Sequence, residues 1–204
     1  MTLRPDLSLI SEWIQPDSRV LDLGCGRGDL LSHLIEHKNV RGYGIEIEHE
    51  LIAESVKKGI NVIEADLDDS YGISQYFDAQ SFDYVVMTQA LQTMDRPDHL
   101  IDQMLRVGKQ GIITFPNFGH WTVRLQLLFK GKMPETETLP YTWYNTPNIH
   151  MCSFKDFETL CQSKGIRILD RAVVNQQHRS SMFMSLLPNW AGEIAIYRFE
   201  KTEA

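Results

Sequence analysis

The residues of this chain that are best suited to ligand chemistry lie in a glycine-rich turn. The run Val20–Leu31, VLDLGCGRGDLL, joins a short apolar strand to a helix and places glycines at positions 24, 26 and 28. Glycine lets the backbone turn sharply and approach a ligand without side-chain obstruction. The start of the following helix adds unpaired N–H groups and the positive end of a helix dipole. The turn therefore predicts a ligand at the carboxyl end of the first strand.

Two classes of ligand compete for this turn. A dinucleotide site has the spacing G-x-G-x-x-G, but here the third glycine comes one residue early and Asp29 stands in the last glycine position. A carboxylate there would repel a pyrophosphate. S-adenosylmethionine has no pyrophosphate and presents an ammonium group, which Asp22 could place directly or through water, so the spacing favours this cofactor. The predicted contacts in the turn are Asp22, Gly24, Cys25, Gly26 and Gly28.

Acidic residues at the ends of the next two strands extend the predicted cofactor site. Glu46 stands 22 residues after the first glycine of the turn, next to Ile47, where a carboxylate can accept both ribose hydroxyls of NAD or of S-adenosylmethionine. Asp66 ends the third strand and can accept the adenine amino group, with Leu67 supplying the next backbone N–H. Each feature alone is also compatible with a plain turn, a helix cap or a solvated strand end. Their order across three strands favours S-adenosylmethionine, and Gln89 at the end of the fourth strand completes the predicted set.

Alternating strand and helix patterns position these residues. Apolar runs that predict strands cover residues 18–24, 40–47, 60–66, 81–89 and 110–117. Helical spacing follows in the segments 30–35, 49–59 and 96–108. This alternation predicts an α/β fold with a doubly wound, mostly parallel sheet and helices on both faces. A capping box at Ser153–Asp156 then opens a helix, and the runs 166–176 and 193–201 predict two strands that pair antiparallel.

An aromatic-rich insertion interrupts the pattern after the fifth strand. Residues 118–150 are too long for an ordinary connection, which is typical of a lid or a partner-binding surface. In the crevice beside the cofactor a small-molecule acceptor would meet His120 or His150 as candidate base and Asn117 as a polar contact. The alternative is structural: Trp121 would pack the insertion onto the sheet, and His120 would hydrogen-bond a loop. The aromatic residues of the insertion include Trp121, Phe129, Tyr141, Trp143 and Tyr144.

Composition and charge limit the function classes. The chain has 204 residues, 43% of them hydrophobic, and a formal net charge of −7. These values fit one soluble domain over 1–204 and argue against a nucleic-acid partner, which needs a basic face. No apolar run is long enough for a membrane span, and the first residues lack a signal sequence. The three cysteines form no C-x-x-C pair and no cluster has metal-ligand spacing, so we expect a cytoplasmic protein with reduced thiols and no metal.

The cofactor motifs resemble the class I S-adenosylmethionine-dependent methyltransferase superfamily. The turn Val20–Leu31 is similar to its first motif, Glu46 to its ribose contact and Asp66 to its adenine contact. This resemblance implies a seven-stranded sheet whose last strand inserts antiparallel, which agrees with the predicted pair of C-terminal strands.

A narrower resemblance covers nearly the whole chain. The runs 81–94, 104–128 and 139–161 resemble the methionine biosynthesis family MetW, and the segments PNFGHW and WYNTPNI are the most specific parts. This resemblance implies a cytoplasmic bacterial protein of methionine synthesis that works with homoserine O-acyltransferase, an α/β-hydrolase.

Two functions are consistent with these features. One is an S-adenosylmethionine-dependent small-molecule methyltransferase, and the other is a regulatory subunit that keeps the cofactor site and contacts the acyltransferase. The fourth strand ends in MTQALQTM, without the Asn-Pro-Pro-Tyr type of signature for amino acceptors, and no cysteine follows a proline at a strand end. A nucleic-acid methyltransferase is therefore the least supported class. The motifs alone favour the small-molecule enzyme, whereas the family resemblance favours the subunit.

Overall fold

Seven strands form one mixed sheet in the computed structural model, which describes residues 3–69, 72–175 and 186–202. The strands are β1 (Arg19–Leu23), β2 (Arg41–Glu46), β3 (Asn61–Glu64), β4 (Phe82–Thr88), β5 (Gly108–Pro116), β6 (Ile166–Val174) and β7 (Ile194–Lys201). The α-helices in the described residues are α1 (Pro5–Trp13), α2 (Asp29–Lys38), α3 (His49–Lys57), α4 (Pro97–Val107), α5 (Trp121–Lys130), α6 (Phe154–Ser163) and α7 (Pro188–Ala191). Single 3₁₀ turns cover Ile73–Gln75 and Leu91–Thr93.

The strand order is β3-β2-β1-β4-β5-β7-β6. Strands β1 to β5 are mutually parallel, and in this part of the sheet Leu21 of β1 lies opposite Tyr43 on one side and Val85 on the other. Strand β7 inserts between β5 and β6 and is antiparallel to both. The predicted α/β fold, with its doubly wound seven-stranded sheet and antiparallel last strand, is confirmed. Because the chain order reverses between β1 and β4, the carboxyl ends of these strands border a crevice that suits a ligand.

The core lies on both faces of the sheet. Successive side chains of a strand point to opposite faces, and Val20 and Leu21 of β1 accordingly belong to two separate apolar clusters. One cluster packs α4 and α6 against the sheet, and Phe157 lies within it. The other holds Ile10 of α1 and Leu34 of α2. Burial on both faces explains why the parallel strands read as continuous apolar runs rather than as alternating ones.

Six of the seven predicted strands are longer than the observed ones. The predicted run 40–47 forms a strand only over Arg41–Glu46, and the run 60–66 only over Asn61–Glu64, so Asp66 lies in the turn beyond β3. Residue 176, the last of the predicted strand 166–176, lies outside the described residues. The capping box is present as predicted: Ser153 Oγ accepts a hydrogen bond from the backbone N–H of Asp156, whose carboxylate accepts one from the backbone N–H of Ser153.

Three helices, α1, α5 and the four-residue α7, were not predicted. Helix α1 begins at Pro5, a residue that suits the first turn of a helix, and it buries Leu7 and Ile10. Helix α5 occupies ten residues of the insertion and ends at Gly131, whose φ of +60° is left-handed. Within α5 only Val123 is buried. The insertion 118–150 therefore contains a regular element that projects most of its side chains outward.

Candidate functional site

A cavity of about 860 Å³ lies at the crevice between the ends of β1 and β4. Its volume is within the usual range for small-molecule sites. Part of the wall comes from α1 and α2, which cover the crevice on one side. The lining residues used below are Arg4, Asp22, Gly24, Cys25, Gly26, Asp29, Lys58 and Thr88. Four of the residues predicted from the turn therefore meet in one cavity.

The glycine turn is held close to α3 and β3. Gly24, Gly26 and Gly28 have φ values of +69°, +56° and +71°, which L residues with side chains rarely adopt. A Cβ at Gly28 would also lie 2.2 Å from Ile60 Cδ1 and 2.8 Å from Ser55 Oγ. The same Ser55 hydroxyl donates to the carbonyl oxygen of Gly26 at 2.8 Å. Glycine at position 28 is thus required both by the backbone conformation and by the close approach of α3.

Asp22 contributes a buried carboxylate to this cavity. Its residue is only 3% exposed, and in the described part of the chain its Oδ1 has no hydrogen-bond partner. Burial, together with the charge of Glu46, raises the pKa of Asp22 to about 7, and the charge of Arg4 opposes this increase. A buried polar group without a partner is costly. The position therefore suits a cationic donor brought by a ligand.

Glu46 connects the end of β2 to the glycine turn. Its Oε2 accepts the backbone N–H of Gly26 at 2.8 Å, and its Oε1 accepts those of Ile47 at 2.8 Å and Glu48 at 3.1 Å. The residue is buried, whereas the side chain of Ile47 is exposed. A carboxylate has about four acceptor positions, so roughly one stays available for a ligand unless a backbone bond is exchanged.

Like Gly28, Glu46 and Ile47, the remaining predicted cofactor contacts lie outside the lining of this cavity. Asp66 is exposed, and its Oδ1 accepts the backbone N–H of Asp68 at 2.9 Å. Leu67 lines a smaller cavity of about 210 Å³ on that side. Gln89 is exposed, has a left-handed φ of +56°, and donates its backbone N–H to the carbonyl and hydroxyl oxygens of Thr114, both at 3.0 Å. Their role as cofactor contacts stays a prediction.

A third cavity, of about 420 Å³, adjoins the first one. Gln89 lines it together with Pro116 of β5 and with Tyr141 and Asn148 from the insertion. Arg4 lines both cavities, and the consecutive residues Thr88 and Gln89 line one each. The guanidinium of Arg4 donates from Nε and Nη2 to the two carboxylate oxygens of Asp6, at 3.2 and 3.0 Å. The two cavities therefore meet at Arg4 and at the end of β4.

Asn117 is buried and bonded on both sides of its amide. Its Nδ2 donates to the carbonyl oxygens of Gly192 at 2.7 Å and Asn189 at 3.3 Å, and its Oδ1 accepts the backbone N–H of Gly119 at 2.8 Å. The side chain thus holds the turn after β5 against the segment around α7.

The two histidines predicted as candidate bases differ in burial and in their contacts. His120 is buried at the start of α5, with Nδ1 2.7 Å from Thr122 Oγ1. Burial lowers its pKa, and the charge of Glu193 opposes this change. His150 is exposed, and its Nε2 lies 3.2 Å from the carbonyl oxygen of Asp95. Within the described ranges, the walls of the first and third cavities are formed without Asn117, His120 or His150.

Gln92 holds the two ends of the insertion together. Its Nε2 donates to the carbonyl oxygens of Pro116 at 3.0 Å and Cys152 at 3.4 Å. The backbone carbonyl oxygen of Gln92 accepts the backbone N–H groups of Ile149 at 2.9 Å and His150 at 3.1 Å. The residue is 2% exposed. The start and the end of the insertion are therefore both held by Gln92, between β5 and α6.

Sequence reasoning missed Arg4 and Lys58. The cavity-lining position of Arg4 depends on α1, which Pro5 and the spacing of Leu7 and Ile10 could have indicated. Lys58 donates to the carbonyl oxygen of Arg27 at 2.8 Å and forms an ion pair with Asp29. No local pattern predicts that pair, because it joins the ends of two different helices.

Two classes of site are not found in the described residues. Over the ranges 3–69, 72–175 and 186–202, no group of three or more His, Cys, Asp or Glu side chains is arranged to hold a metal ion. In the same ranges no helix has the length and apolar character needed to cross a membrane. The three cysteines are free thiols, and burial raises the pKa of each to about 12.

Comparisons with known proteins agree with this geometry. The family model described as methionine biosynthesis protein MetW matches residues 4–199. A bifunctional methionine biosynthesis protein MetXA/MetW from Rhodopirellula baltica is 30% identical over 210 residues, which cover 98% of this chain and 33% of that protein. The chain thus spans about a third of the length of this curated relative.

Solved structures show the same fold at low identity. An S-adenosylmethionine-dependent methyltransferase from Mesorhizobium loti matches with a TM-score of 0.70 at 13% identity. The match covers 97% of this chain and 98% of the methyltransferase chain. The [4+2]-cyclase SpnF matches with a TM-score of 0.67 at 17% identity, over 97% of this chain and 81% of the SpnF chain. Because one fold carries different activities, these similarities show architecture alone. On the family match, this chain belongs to the MetW family of methionine biosynthesis proteins and is built on the class I S-adenosylmethionine-dependent methyltransferase fold.

Proposed function

We propose that this protein binds S-adenosylmethionine and acts in methionine biosynthesis by activating homoserine O-acyltransferase. In this proposal residues 1–204 form one cytoplasmic cofactor-binding domain, and the insertion 118–150 is its lid or partner surface. The observation that carries the cofactor assignment is the buried carboxylate of Asp22, which faces the first cavity without a hydrogen-bond partner for its Oδ1 among the described residues.

The donors in and beside the first cavity fit S-adenosylmethionine. When bound, the cofactor supplies a methyl group activated by a positively charged sulfur. In our proposal Asp22 holds the ammonium, Glu46 the ribose and Asp66 the adenine amino group, while Gly24, Cys25 and Gly26 border the ligand. The ammonium would stabilise the charged form of Asp22, whose pKa burial raises to about 7.

The partner assignment is supported by the fused relative. Its name joins MetXA and MetW in one chain, and we take MetXA to be the acyltransferase that the family resemblance implies. Fusion places two proteins at a high effective concentration and favours contacts that separate chains must make by diffusion. S-adenosylmethionine is an end product of the methionine pathway, so a subunit that binds it can couple acyltransferase activity to demand through affinity differences between two states of the complex.

The contacts of the candidate acceptor-side residues also favour a regulatory subunit. Asn117 uses its amide to hold a turn, the Nδ1 of His120 is engaged with Thr122, and Nε2 of His150 lies within hydrogen-bond distance of a backbone carbonyl. A general base must reach the proton that it abstracts. Residues held by their own chain outside both cavities are poorly placed for that step.

The test is an acyltransferase assay with the purified partner. We expect activity to rise several-fold when this protein is added and to change again with S-adenosylmethionine, because coupling between sites typically corresponds to roughly 5- to 150-fold changes in affinity. Asp22→Asn should weaken the cofactor effect and keep activation. Acyltransferase activity that is the same with and without this protein, at every cofactor concentration, would refute the proposal.

A second candidate is an active small-molecule methyltransferase. It is favoured by one observation: the third cavity, of about 420 Å³, meets the first at Arg4 and at the end of β4 and has room for a small acceptor. The test uses labelled S-adenosylmethionine and extracts of cells that lack the gene. A labelled product that depends on the protein is expected if it is an enzyme, and its absence from every fraction would remove this candidate.

A further inference from the structure

Helix α5 carries an apolar stripe on its solvent side. Trp121, Leu125 and Leu128 are spaced i, i+4 and i+7, which places them on one face of the helix. Phe129 extends this face, and it is 78% exposed while Leu128 is 72% exposed. A stripe of this kind normally packs on a core. Here the core contact of α5 is the single buried residue Val123, so its apolar side is directed away from the protein.

The surroundings of α5 are ordered by specific contacts. The indole of Trp190 stacks on Trp121 with ring centroids 6.0 Å apart. Arg124 Nε donates to the carbonyl oxygen of Gly119 at 2.6 Å. The side-chain amide of Gln126 makes two hydrogen bonds to the backbone of Glu135, at 3.1 and 3.3 Å. The exposed stripe is therefore built on a fixed helix, which lowers the ordering cost of binding a partner.

We name the set Trp121, Leu125, Leu128, Phe129 and Trp190 the α5 face. Two of its five members are tryptophans, and tryptophan is among the residues that most often dominate binding energy at protein interfaces. The same insertion exposes a further aromatic pair, Trp143 and Tyr144, in edge-to-face contact at 5.6 Å. Exposed apolar groups in this number mark an interaction site rather than ordinary surface.

The charge around α5 distinguishes between the possible partners of the α5 face. The segment 121–133 contains Arg124, Lys130 and Lys132 and no acidic residue, although the whole chain has a formal net charge of −7. A two-fold pair of identical chains would place the same patch against itself and bring these basic residues together. A different protein with an apolar patch and an acidic border would be complementary.

We infer that the α5 face is the surface that docks the acyltransferase, and this inference rests on the proposed function. The MetXA/MetW relative places such a partner in the same chain, in the two thirds of its length that this chain does not cover. Tyr141 connects the insertion to the third cavity, because it lines that cavity and is also exposed. A protein docked on the insertion would thus lie close to the cavities that meet at Arg4.

The test compares variants of the α5 face with a matched surface variant. Leu128→Ser and Phe129→Ser, singly and together, remove exposed apolar groups of the face. Val56→Ser makes a similar change on α3, where Val56 is 55% exposed. Binding to the purified acyltransferase is measured by titration calorimetry, and binding of S-adenosylmethionine and thermal unfolding are measured on the same samples. We expect at least tenfold weaker acyltransferase binding for the double variant, with Val56→Ser within twofold of wild type and cofactor affinity unchanged.

The outcomes separate this inference from the proposed function. If wild type binds the acyltransferase and the double variant binds equally well, the docking surface is wrong and the partnership stands. If wild type does not bind the acyltransferase with or without cofactor, the partnership fails and the inference fails with it. If sedimentation shows wild-type self-association that the double variant abolishes while acyltransferase binding persists, the α5 face joins two copies of this chain and the inference is overturned.

Discussion

The glycine-turn crevice and the α5 face differ from most of a protein in opposite ways, because the crevice buries acidic groups and the α5 face exposes apolar ones. The crevice buries the carboxylates of Asp22 and Glu46, whereas α5 exposes Leu128 and Phe129. Buried charge and exposed apolar groups are the informative exceptions to the usual distribution of residues. The difference agrees with the two proposals made above: a small ligand with polar and cationic groups binds inside the crevice, and a protein binds on the α5 face.

Both departures cost free energy in the isolated chain, and binding would offset each of them. The buried carboxylate of Asp22 lacks a partner for one oxygen among the described residues, and every exposed Å² of apolar surface forgoes about 25 cal/mol of burial. A ligand that binds only the folded protein stabilises it by mass action. The comparison can therefore be tested by changing one region and observing whether the other responds.

The largest expected effect concerns the pH dependence of stability at Asp22. The unfolded chain loses this proton near pH 3.8, whereas the folded protein keeps it up to about pH 7. A raised carboxyl pKa contributes stability at low pH that is lost as the pH rises, here by about 3 kcal/mol between pH 4 and 7. The unfolding free energy of wild type relative to Asp22→Asn, measured without cofactor by denaturant titration, should fall by that amount.

A control of opposite sign is available at Asp83. Hydrogen bonding to Lys109 lowers the pKa of Asp83, and its bond to the backbone of Arg19 acts in the same direction. Its contribution is present above the unfolded pKa and lost as the pH falls, so Asp83→Asn should change the pH slope in the other direction. If the unfolding free energies of Asp22→Asn and wild type change in parallel from pH 4 to 7, burial in the crevice does not raise the pKa of Asp22.

The second effect concerns cofactor affinity at Glu46. Glu46→Gln keeps the shape of the side chain and removes its charge, and loss of a hydrogen bond to a charged group costs about 1.5–3 kcal/mol. We expect S-adenosylmethionine to bind roughly tenfold more weakly or worse by calorimetry, and Asp66→Ala to weaken it as well. Glu48→Gln, at the exposed neighbouring position, is the control. Unchanged affinity in both Glu46→Gln and Asp66→Ala would place the cofactor elsewhere.

The third effect separates backbone strain from close approach in the glycine turn. Both Gly26 and Gly28 have positive φ, but a Cβ at Gly26 would meet nothing within 4 Å. Each alanine variant should lose about 1–2 kcal/mol from strain, and Gly28→Ala about 1–3 kcal/mol more, because it crowds Ile60 and Ser55. Denaturant titration of the two variants gives the difference directly. Equal losses would show that α3 moves aside without cost.

The smallest expected effect is on the outer surface. Trp143 is 74% exposed, so Trp143→Ser should change the free energy of unfolding by no more than about 0.5 kcal/mol. A large loss of stability in thermal unfolding would mean that the exposed aromatic groups belong to the core of the insertion. That result would remove the contrast between the two regions.

The strands and the cavity-forming turn could be predicted because their signals are local. Strand ends and glycine spacing are properties of short windows, and Asp22, Gly24, Cys25 and Gly26 all line the first cavity. Alternating strands and helices limit the topology to few arrangements, and the inserted antiparallel last strand was expected from the family resemblance. Helix α1 was missed although Pro5 marks its start, since its apolar residues had no neighbouring strand to suggest a role.

Several contacts around the crevice and the insertion could not be predicted, because they join residues far apart in the chain. Asn117 bonds to the carbonyl oxygen of Gly192, 75 residues later, and Lys58 pairs with Asp29 across two helices. The exposure of the apolar side chains of α5 could also not be predicted from the sequence. Its run of Leu and Phe residues predicts burial by type, and only tertiary structure shows that they face solvent.

The buried amide of Gln92 has a consequence for how this protein can diverge among relatives. Because the Gln92 side chain bonds to Pro116 and Cys152 on either side of the insertion, we expect that the intervening segment can be lengthened, shortened or exchanged without moving the strands on which the crevice depends. Closing a loop twice as long adds only about 0.6 kcal/mol. If the insertion carries the partner surface that we propose, a graft between residues 117 and 151 should transfer the partner preference of one homologue to another.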